Sequence, residues 1–189
     1  MVYEAMVRSG RMAIHISTPS LIHEALSEYV AIAEHCITTG KPTGGCYGFP
    51  TALLCFTIVD TIGSFYCGDR SFTINIDQKT RTIDGNRFKH YFILNSDYYG
   101  QSLREKDIKR LYEYYRCLLV HNAALAPNCA LDIGKETDPP FAVHTSQHID
   151  HVNLRPFLDL SHIAVAKFLR VAPTLVPGSK QGKGIENKR

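Results

Sequence analysis

The chain has 189 residues, 44% of them hydrophobic and 21% charged, and can bury a hydrophobic core as one soluble globular domain without disulfides or bound metals. Residues 171–189 carry the whole net charge of +3, with four basic residues against one acidic residue. Residues 1–170 are therefore neutral, with 17 residues of each sign, and this balance excludes a strongly basic field for nucleic acids.

The N-terminal segment contains the charged residues Glu4, Arg8 and Arg11, which predicts that it is no signal peptide. A helix is predicted to begin with Thr18 as its N-cap, because a proline follows at a position where the missing N–H costs nothing. Apolar residues then recur at three- and four-residue spacing. This amphipathic helix is expected to end near Gly40.

A glycine-rich linker, residues 41–48, follows that helix. Its spacing matches neither a P-loop nor a dinucleotide fingerprint, which favours a plain turn over a phosphate cradle. Residues 49–66 are apolar nearly all round, as in a central bundle helix, and Asp60 is their only charge. A buried carboxylate needs a partner. The longest apolar stretch, residues 51–66, is also predicted to be too short to span a bilayer.

The sequence period changes in the middle of the chain. Residues 72–77 alternate between apolar and polar side chains, which predicts a short strand that pairs with residues 80–83 in a hairpin. Residues 88–94 favour a helix, with a strand as the open alternative because the segment is aromatic. Residues 103–122 then form a helix with an apolar stripe facing the core, and Pro127 follows its end.

The C-terminal third begins with a segment rich in Pro, Asp and His, in which residues 130–133 and 141–145 could form short strands. A last long helix is predicted to begin around Asn153. Beyond Pro173 the composition turns to Gly, Ser, Lys and Gln, which predicts a flexible basic tail over residues 171–189.

Residues 1–170 are accordingly expected to form a single helical domain. The chain has six cysteines and no Cys-x-x-Cys pair, which predicts buried reduced thiols at positions 36, 46, 55, 67, 117 and 129. We expect a cytoplasmic protein that does not insert into a membrane.

The unusual feature of the helix at residues 103–122 is a permanent cation, Arg116, and an imidazole, His121, in an otherwise apolar stretch. Such groups are costly to bury unless they have partners or a task. In a purely structural interpretation Arg116 forms an ion pair with Asp60, and His121 interacts with the negative end of the helix dipole. In a functional interpretation the two residues belong to a site.

The pattern R-x4-H, within the segment LYEYYRCLLVHN, resembles the signature of the HEPN superfamily, an arginine followed a few residues later by a histidine on a late helix of a four-helix bundle. The two long helices before it and the closing helix after it fit the same architecture. The resemblance covers residues 18–170 in outline. It implies a mainly α fold, a HEPN-like four-helix bundle with a small β-hairpin excursion.

The resemblance also implies a function: a metal-independent endoribonuclease of toxin, stress or defence type, without a cofactor, acting as a homodimer with a composite cleft. Arg116 would bind the scissile phosphate, and His121 would act as general acid or base on the ribose 2′-hydroxyl. Asn122 would orient the imidazole or donate to a phosphate oxygen. RNA and a protein partner such as an antitoxin are the expected partners, and the expected products carry a 2′,3′-cyclic phosphate. The alternative is a non-catalytic HEPN-like module that binds a nucleotide or a protein.

The spacing of Arg116 and His121 adds a geometric condition. At about 100° per residue, a step of five residues leaves the two side chains roughly 140° apart on a regular helix. One straight helix cannot aim both at one target. A shared site therefore requires a distorted helix end or a second subunit.

Three histidines near the C-terminal third, His144, His148 and His151, could hold zinc with Asp138 if their segment were helical. The adjacent Pro139 and its neighbouring proline indicate a loop or strand instead. We therefore expect an exposed polar loop and no metal site.

Overall fold

The computed structural model describes residues 17–144 and 147–188. The segment behind the prediction of no signal peptide, and the end of the strand predicted at residues 141–145, lie outside the described residues. The described part of the chain is mainly helical, as predicted, and it contains two small β-sheets. The α-helices, in chain order, are α1 Thr18–Thr38, α2 Gly48–Phe65, α3 Glu105–Arg110, α4 Leu118–Asn122, α5 Leu154–Gly178 and α6 Lys180–Glu186.

Helix α1 begins one residue earlier than predicted. Ser17 is the N-cap, and its hydroxyl accepts a hydrogen bond from the Ser20 amide at 3.3 Å. Thr18 is already helical, and its hydroxyl donates to the Glu186 carboxylate on α6. The prediction of Thr18 as N-cap is wrong. Ser17 and Thr18 both carry a hydroxyl that could cap the helix, and it is Ser17 that has the extended backbone of an N-cap residue.

Helix α2 is the central helix of the fold. It packs against α1, α5 and a 3₁₀ helix, Arg87–Asn95. Among the described residues, α2 is the one helix long and apolar enough to cross a membrane, so the prediction that its apolar stretch is too short to span a bilayer is wrong as to length. Half of the helix is buried inside the protein. Length and composition are weak grounds for a membrane span, because the core helix of a soluble protein meets the same criteria.

An aromatic cluster connects the helices around α2. The ring of Phe56 lies 5.0 Å from that of Phe157 on α5 and 6.1 Å from that of Tyr91 on the 3₁₀ helix, centroid to centroid. Tyr115 adds a third ring at 6.0 Å. All four residues are almost completely buried. Aromatic pairs at such distances stabilise a core beyond their buried area.

The six cysteines are free thiols, as predicted, but they differ in burial. Cys55 on α2 is fully buried, and burial raises the pKa of its thiol to about 12. The other five are only partly buried, so the prediction of buried thiols is wrong for them. They lie at the edges of the core, where one side of the residue still meets solvent.

The predicted hairpin is confirmed. Strands β1, Thr73–Ile76, and β2, Lys79–Thr82, pair antiparallel around a tight turn. The segment predicted as a helix at residues 88–94 lies within the 3₁₀ helix. The strand alternative there is wrong.

The helix predicted at residues 103–122 is one continuous helix of three segments, which we call the motif helix. It consists of α3, a π-helical segment Leu111–Cys117, and α4. The π segment contains Arg116. π-helical turns are rare in proteins overall, but those that occur are often at functional sites.

A three-stranded sheet follows the motif helix. Strand β3, Ala130–Asp132, runs parallel to β5, His151–Asn153, and β4, Phe141–Ala142, pairs antiparallel with β5. The strands at β3 and β4 were predicted, although β4 is shorter. Strand β5 was not predicted, because three residues are too few to show an alternation of apolar and polar side chains and a clear helical pattern follows them directly.

The predicted flexible tail is wrong for the described residues. Helix α5 continues through Pro173 to Gly178, and α6 follows, capped by Ser179, whose hydroxyl accepts from the Gly182 amide at 2.9 Å. The apolar stripe of α5 continues with the buried residue Val176. A Cβ on Gly182 would lie 1.8 Å from the Val176 carbonyl oxygen, so this glycine allows α6 to pack closely on α5. The prediction used only the composition of the segment, which does not show that α6 packs on α5.

Candidate functional site

Arg116 projects from the π segment of the motif helix toward α2. Its Nη2 donates to Oδ2 of Asp60 at 2.8 Å. Its guanidinium carbon lies 5.6 Å from the ring centroid of Tyr112, within cation–π range. The ion pair with Asp60 that the sequence suggested as the structural alternative is therefore present.

Asp60 has a second partner that sequence reasoning missed. Oδ1 of Asp60 lies 2.8 Å from Nδ1 of His90 on the 3₁₀ helix. Asp60, His90 and Arg116 thus form one polar group from three elements, which we call the Asp60 cluster. No local pattern marks His90. The only signal in the sequence was the lone carboxylate in an apolar helix, which requires partners.

A close backbone contact sets the position of His90. A Cβ on Gly63 would lie 2.1 Å from the carbonyl oxygen of His90, so the 3₁₀ helix rests directly on α2 at this glycine. Gly63 lies three residues, nearly one turn, after Asp60. The contact therefore holds the imidazole of His90 within reach of the carboxylate.

The Asp60 cluster is mostly but not fully enclosed. The side chains of Asp60, Arg116 and His90 are 17%, 14% and 13% exposed. Burial by itself would raise the pKa of the Asp60 carboxyl, but the hydrogen bond from His90 and the charge and hydrogen bond of Arg116 together lower the pKa below its ordinary value of 3.8. Asp60 is therefore an anion at neutral pH.

The ionised carboxylate determines the tautomer of His90. A carboxylate only accepts hydrogen bonds, so Nδ1 of His90 must carry a proton and donate it to Asp60. Nε2 has no hydrogen-bond partner among the described residues. In the neutral ring that nitrogen is an acceptor.

Arg116 also has N–H groups that make no hydrogen bond among the described residues. A guanidinium carries several N–H donors in a planar fork, and Arg116 makes one hydrogen bond among the described residues. The Asp60 cluster can therefore offer N–H donors and one basic nitrogen to an anionic ligand.

His121 and Asn122 lie elsewhere. Both are exposed in the last turn of α4, directly before Ala123, which ends the helix in a left-handed conformation. No hydrogen bond or ion pair joins either residue to the Asp60 cluster in the described part of the chain. The helix is distorted in its π segment, as one route to a shared site required, but no hydrogen bond joins His121 to Arg116 among the described residues. A second subunit is the remaining route.

Comparisons with protein-family models, curated proteins and solved structures found no match to this chain. The resemblance to the HEPN superfamily therefore rests on the Arg116-to-His121 pattern and its helical context.

The histidine-rich segment is only in part the exposed loop that was predicted, because His144 is exposed whereas His148 and His151 are half-buried. Asp150 is fully buried, and its Oδ1 accepts from the backbone amide of His144 and lies 2.8 Å from Nδ1 of His151. The rings of His144 and His151 are 4.1 Å apart. Within residues 17–144 and 147–188, no group of three or more potential ligands is arranged to hold a metal ion.

The same segment is tied to the motif helix by two arginines. Nε of Arg110 donates to the carbonyl of Ile149 at 2.7 Å, and Nη2 of Arg104 donates to the carbonyl of Gln147 at 3.1 Å. Nε of Arg104 also donates to Asp107 at 2.6 Å. We call Arg104, Asp107 and Arg110, with the carbonyls that they bind, the loop clamp.

Proposed function

We propose that the chain is a HEPN-like protein that binds RNA through its phosphate backbone and cleaves it without a metal ion. One observation supports this most: the guanidinium of Arg116 is held in place by a single hydrogen bond, while its other N–H groups have no acceptor among the described residues. A planar, permanently charged fork suits a phosphodiester, which offers two oxygens to parallel donors.

Asp60 has a defined part in this proposal. By holding one N–H of Arg116, it fixes the orientation of the guanidinium and lowers the entropy lost when a phosphate binds. The carboxylate also disfavours a second anion nearby. The charge of the phosphate must therefore be balanced by further cations from the same or a second subunit.

The proposed active form is a homodimer. No hydrogen bond joins His121 or Asn122 to Arg116 among the described residues, so in this proposal they act on RNA held by the other subunit's arginine, with His121 as general acid or base and Asn122 as its orienting neighbour. In this proposal the protein is a cytoplasmic toxin, stress or defence factor, and its activity is restrained by a protein partner such as an antitoxin.

A second candidate is a non-catalytic HEPN-like module that binds a nucleotide or a protein at the same cluster. It is favoured by the ion pair between Arg116 and Asp60, which would stabilise the fold without a substrate, and by the neutral charge of residues 1–170. In that case Arg116 and Asp60 serve the fold and the ligand, and no bond is broken.

A cleavage assay separates the two candidates. The purified wild type and the variants Arg116→Ala and His121→Ala are incubated with labelled single-stranded RNA in the presence of a chelator, and the products are tested for cyclic phosphate. We expect both variants to lose cleavage by about 100-fold or more while retaining a cooperative thermal transition.

Arg155→Ala is the matched control. Nη1 of Arg155 lies 3.0 Å from both carboxylate oxygens of Glu34, so this variant also removes an arginine from an ion pair, but outside the Asp60 cluster. It should cleave RNA like the wild type. Absence of cleavage by the wild type at any RNA concentration, with RNA or nucleotide binding retained, would contradict the nuclease proposal and support the module.

A further inference from the structure

A second histidine, His90, is better placed than His121 to act with Arg116 of the same chain. The carboxylate of Asp60 contacts the guanidinium through Oδ2 and the imidazole through Oδ1, both at 2.8 Å. A cation and an imidazole are thus held on two sides of one carboxylate. Arg116 and His121 have no such connection.

The orientation of the imidazole is also defined. Asp60 accepts from Nδ1, so the lone pair of the neutral ring is on Nε2, the atom without a partner among the described residues. A carboxylate that holds one nitrogen of an imidazole and makes the other nitrogen basic is the arrangement used to orient a general base. The His90 side chain is 13% exposed, so it is not fully enclosed.

From this geometry we infer that His90 is the general base for RNA cleavage, that Asp60 is its positioning residue, and that Arg116 holds the phosphate being attacked. The inference rests on the proposed function. It assigns proton transfer to a residue outside the R-x4-H pattern and places the base and the phosphate anchor in one subunit.

The step is balanced as follows. Nε2 of His90 takes the proton of the ribose 2′-hydroxyl while the 2′-oxygen forms a bond to phosphorus. The bond from phosphorus to the 5′-oxygen of the next nucleotide breaks, and that oxygen takes a proton from His121 of a second subunit or from water. The products are a 2′,3′-cyclic phosphate and a 5′-hydroxyl, and His90 returns its proton to solvent.

The decisive variant is His90→Asn. Its amide nitrogen can take the place of Nδ1 and donate to Asp60, but it has no counterpart of Nε2. We expect kcat to fall by about 100-fold or more, with KM and the affinity for a non-cleavable 2′-deoxy RNA analogue unchanged. In His90→Ala, added imidazole should restore part of the lost kcat.

These experiments test the assignment of His90 separately from the proposal that the protein cleaves RNA. If the wild type cleaves RNA and His90→Asn cleaves equally well, the assignment of His90 is wrong and the nuclease proposal stands. If the wild type neither cleaves nor binds RNA, both are wrong. Independently of RNA, nitrogen-15 NMR of the wild type should show His90 with its proton on Nδ1, and a neutral ring with its proton on Nε2 would overturn the inference.

Discussion

The Asp60 cluster and the loop clamp use the same residue types to different ends. Each sets a carboxylate against an arginine, and each has a histidine nearby: Nδ1 of His90 at 2.8 Å from Asp60, and Nδ1 of His148 at 3.7 Å from Asp107. In the loop clamp each arginine donates to a backbone carbonyl, of residue 147 or of residue 149, and Arg104 donates to Asp107 as well. In the Asp60 cluster the hydrogen bonds run from side chain to side chain, and donors remain.

The difference shows how to distinguish a structural tie from a candidate site. Irregular backbone near the core needs hydrogen-bond partners, and arginines that supply them have a sufficient structural reason to be there. The cluster around Asp60 joins regular elements whose backbone bonds are already made. Its polar side chains bind one another instead of irregular backbone, and the N–H donors of Arg116 that have no acceptor among the described residues favour binding of a ligand.

The largest stability effect should come from Asp60→Ala. It leaves the enclosed guanidinium of Arg116 without its anion and frees Nδ1 of His90, so we expect the free energy of unfolding to fall by about 3–5 kcal/mol. Urea denaturation measures it. In Asp60→Ala/Arg116→Met the loss should be smaller than in Asp60→Ala, because no buried charge remains. Equal losses would show that leaving the guanidinium unpaired has no cost, which would contradict this explanation.

Gly63→Ala should have the next largest effect. The new Cβ would meet the carbonyl of His90 at 2.1 Å, and moving the 3₁₀ helix away from α2 should cost about 1–3 kcal/mol and displace the imidazole from Asp60. Gly178→Ala is the matched control, because a methyl group on that helical glycine would have no neighbouring atom within 4 Å. Urea denaturation of both variants tests the contact, and equal stability of the two would contradict it.

A smaller effect is expected in acid. The pKa of Asp60 is lower in the folded chain than in the unfolded chain, so the unfolded state binds more protons as the pH falls. The stabilisation from Asp60 is complete above the unfolded pKa of about 4 and is lost as the pH falls through the folded pKa. Asp60→Asn should therefore show a shallower loss of stability than the wild type below about pH 5. Parallel curves from pH-dependent denaturation would contradict this.

The smallest effect should follow from Arg110→Ala in the loop clamp. Losing the hydrogen bond to Ile149 should lower the free energy of unfolding by about 0.5–1.5 kcal/mol. Hydrogen exchange of the amides at residues 147–151 should become faster, while RNA cleavage stays at the wild-type level. A loss of cleavage as large as that of Arg116→Ala would move the loop clamp into the site and remove the distinction between the two regions.

The sequence by itself determined the elements whose cause is local. The periodicity of α1, the continuous apolar run of α2, the alternation of the hairpin and the extent of the motif helix were all readable, because each depends on side chains a few residues apart. The lone charge of Asp60 in an apolar helix also identified it as a partner for Arg116, which the structure confirms at 2.8 Å. The five-residue spacing also indicated that a regular helix would point Arg116 and His121 of one chain in different directions, and no hydrogen bond joins the two among the described residues.

Only the tertiary structure decided the features that depend on distant contacts. His90 joins Asp60 across 30 positions, and its place depends on a missing side chain at Gly63. The π segment, strand β5 and the packing of α6 on α5 likewise arise from contacts between elements. Local pattern reports which face of an element is apolar, but which polar groups meet across that face is settled only when the elements pack.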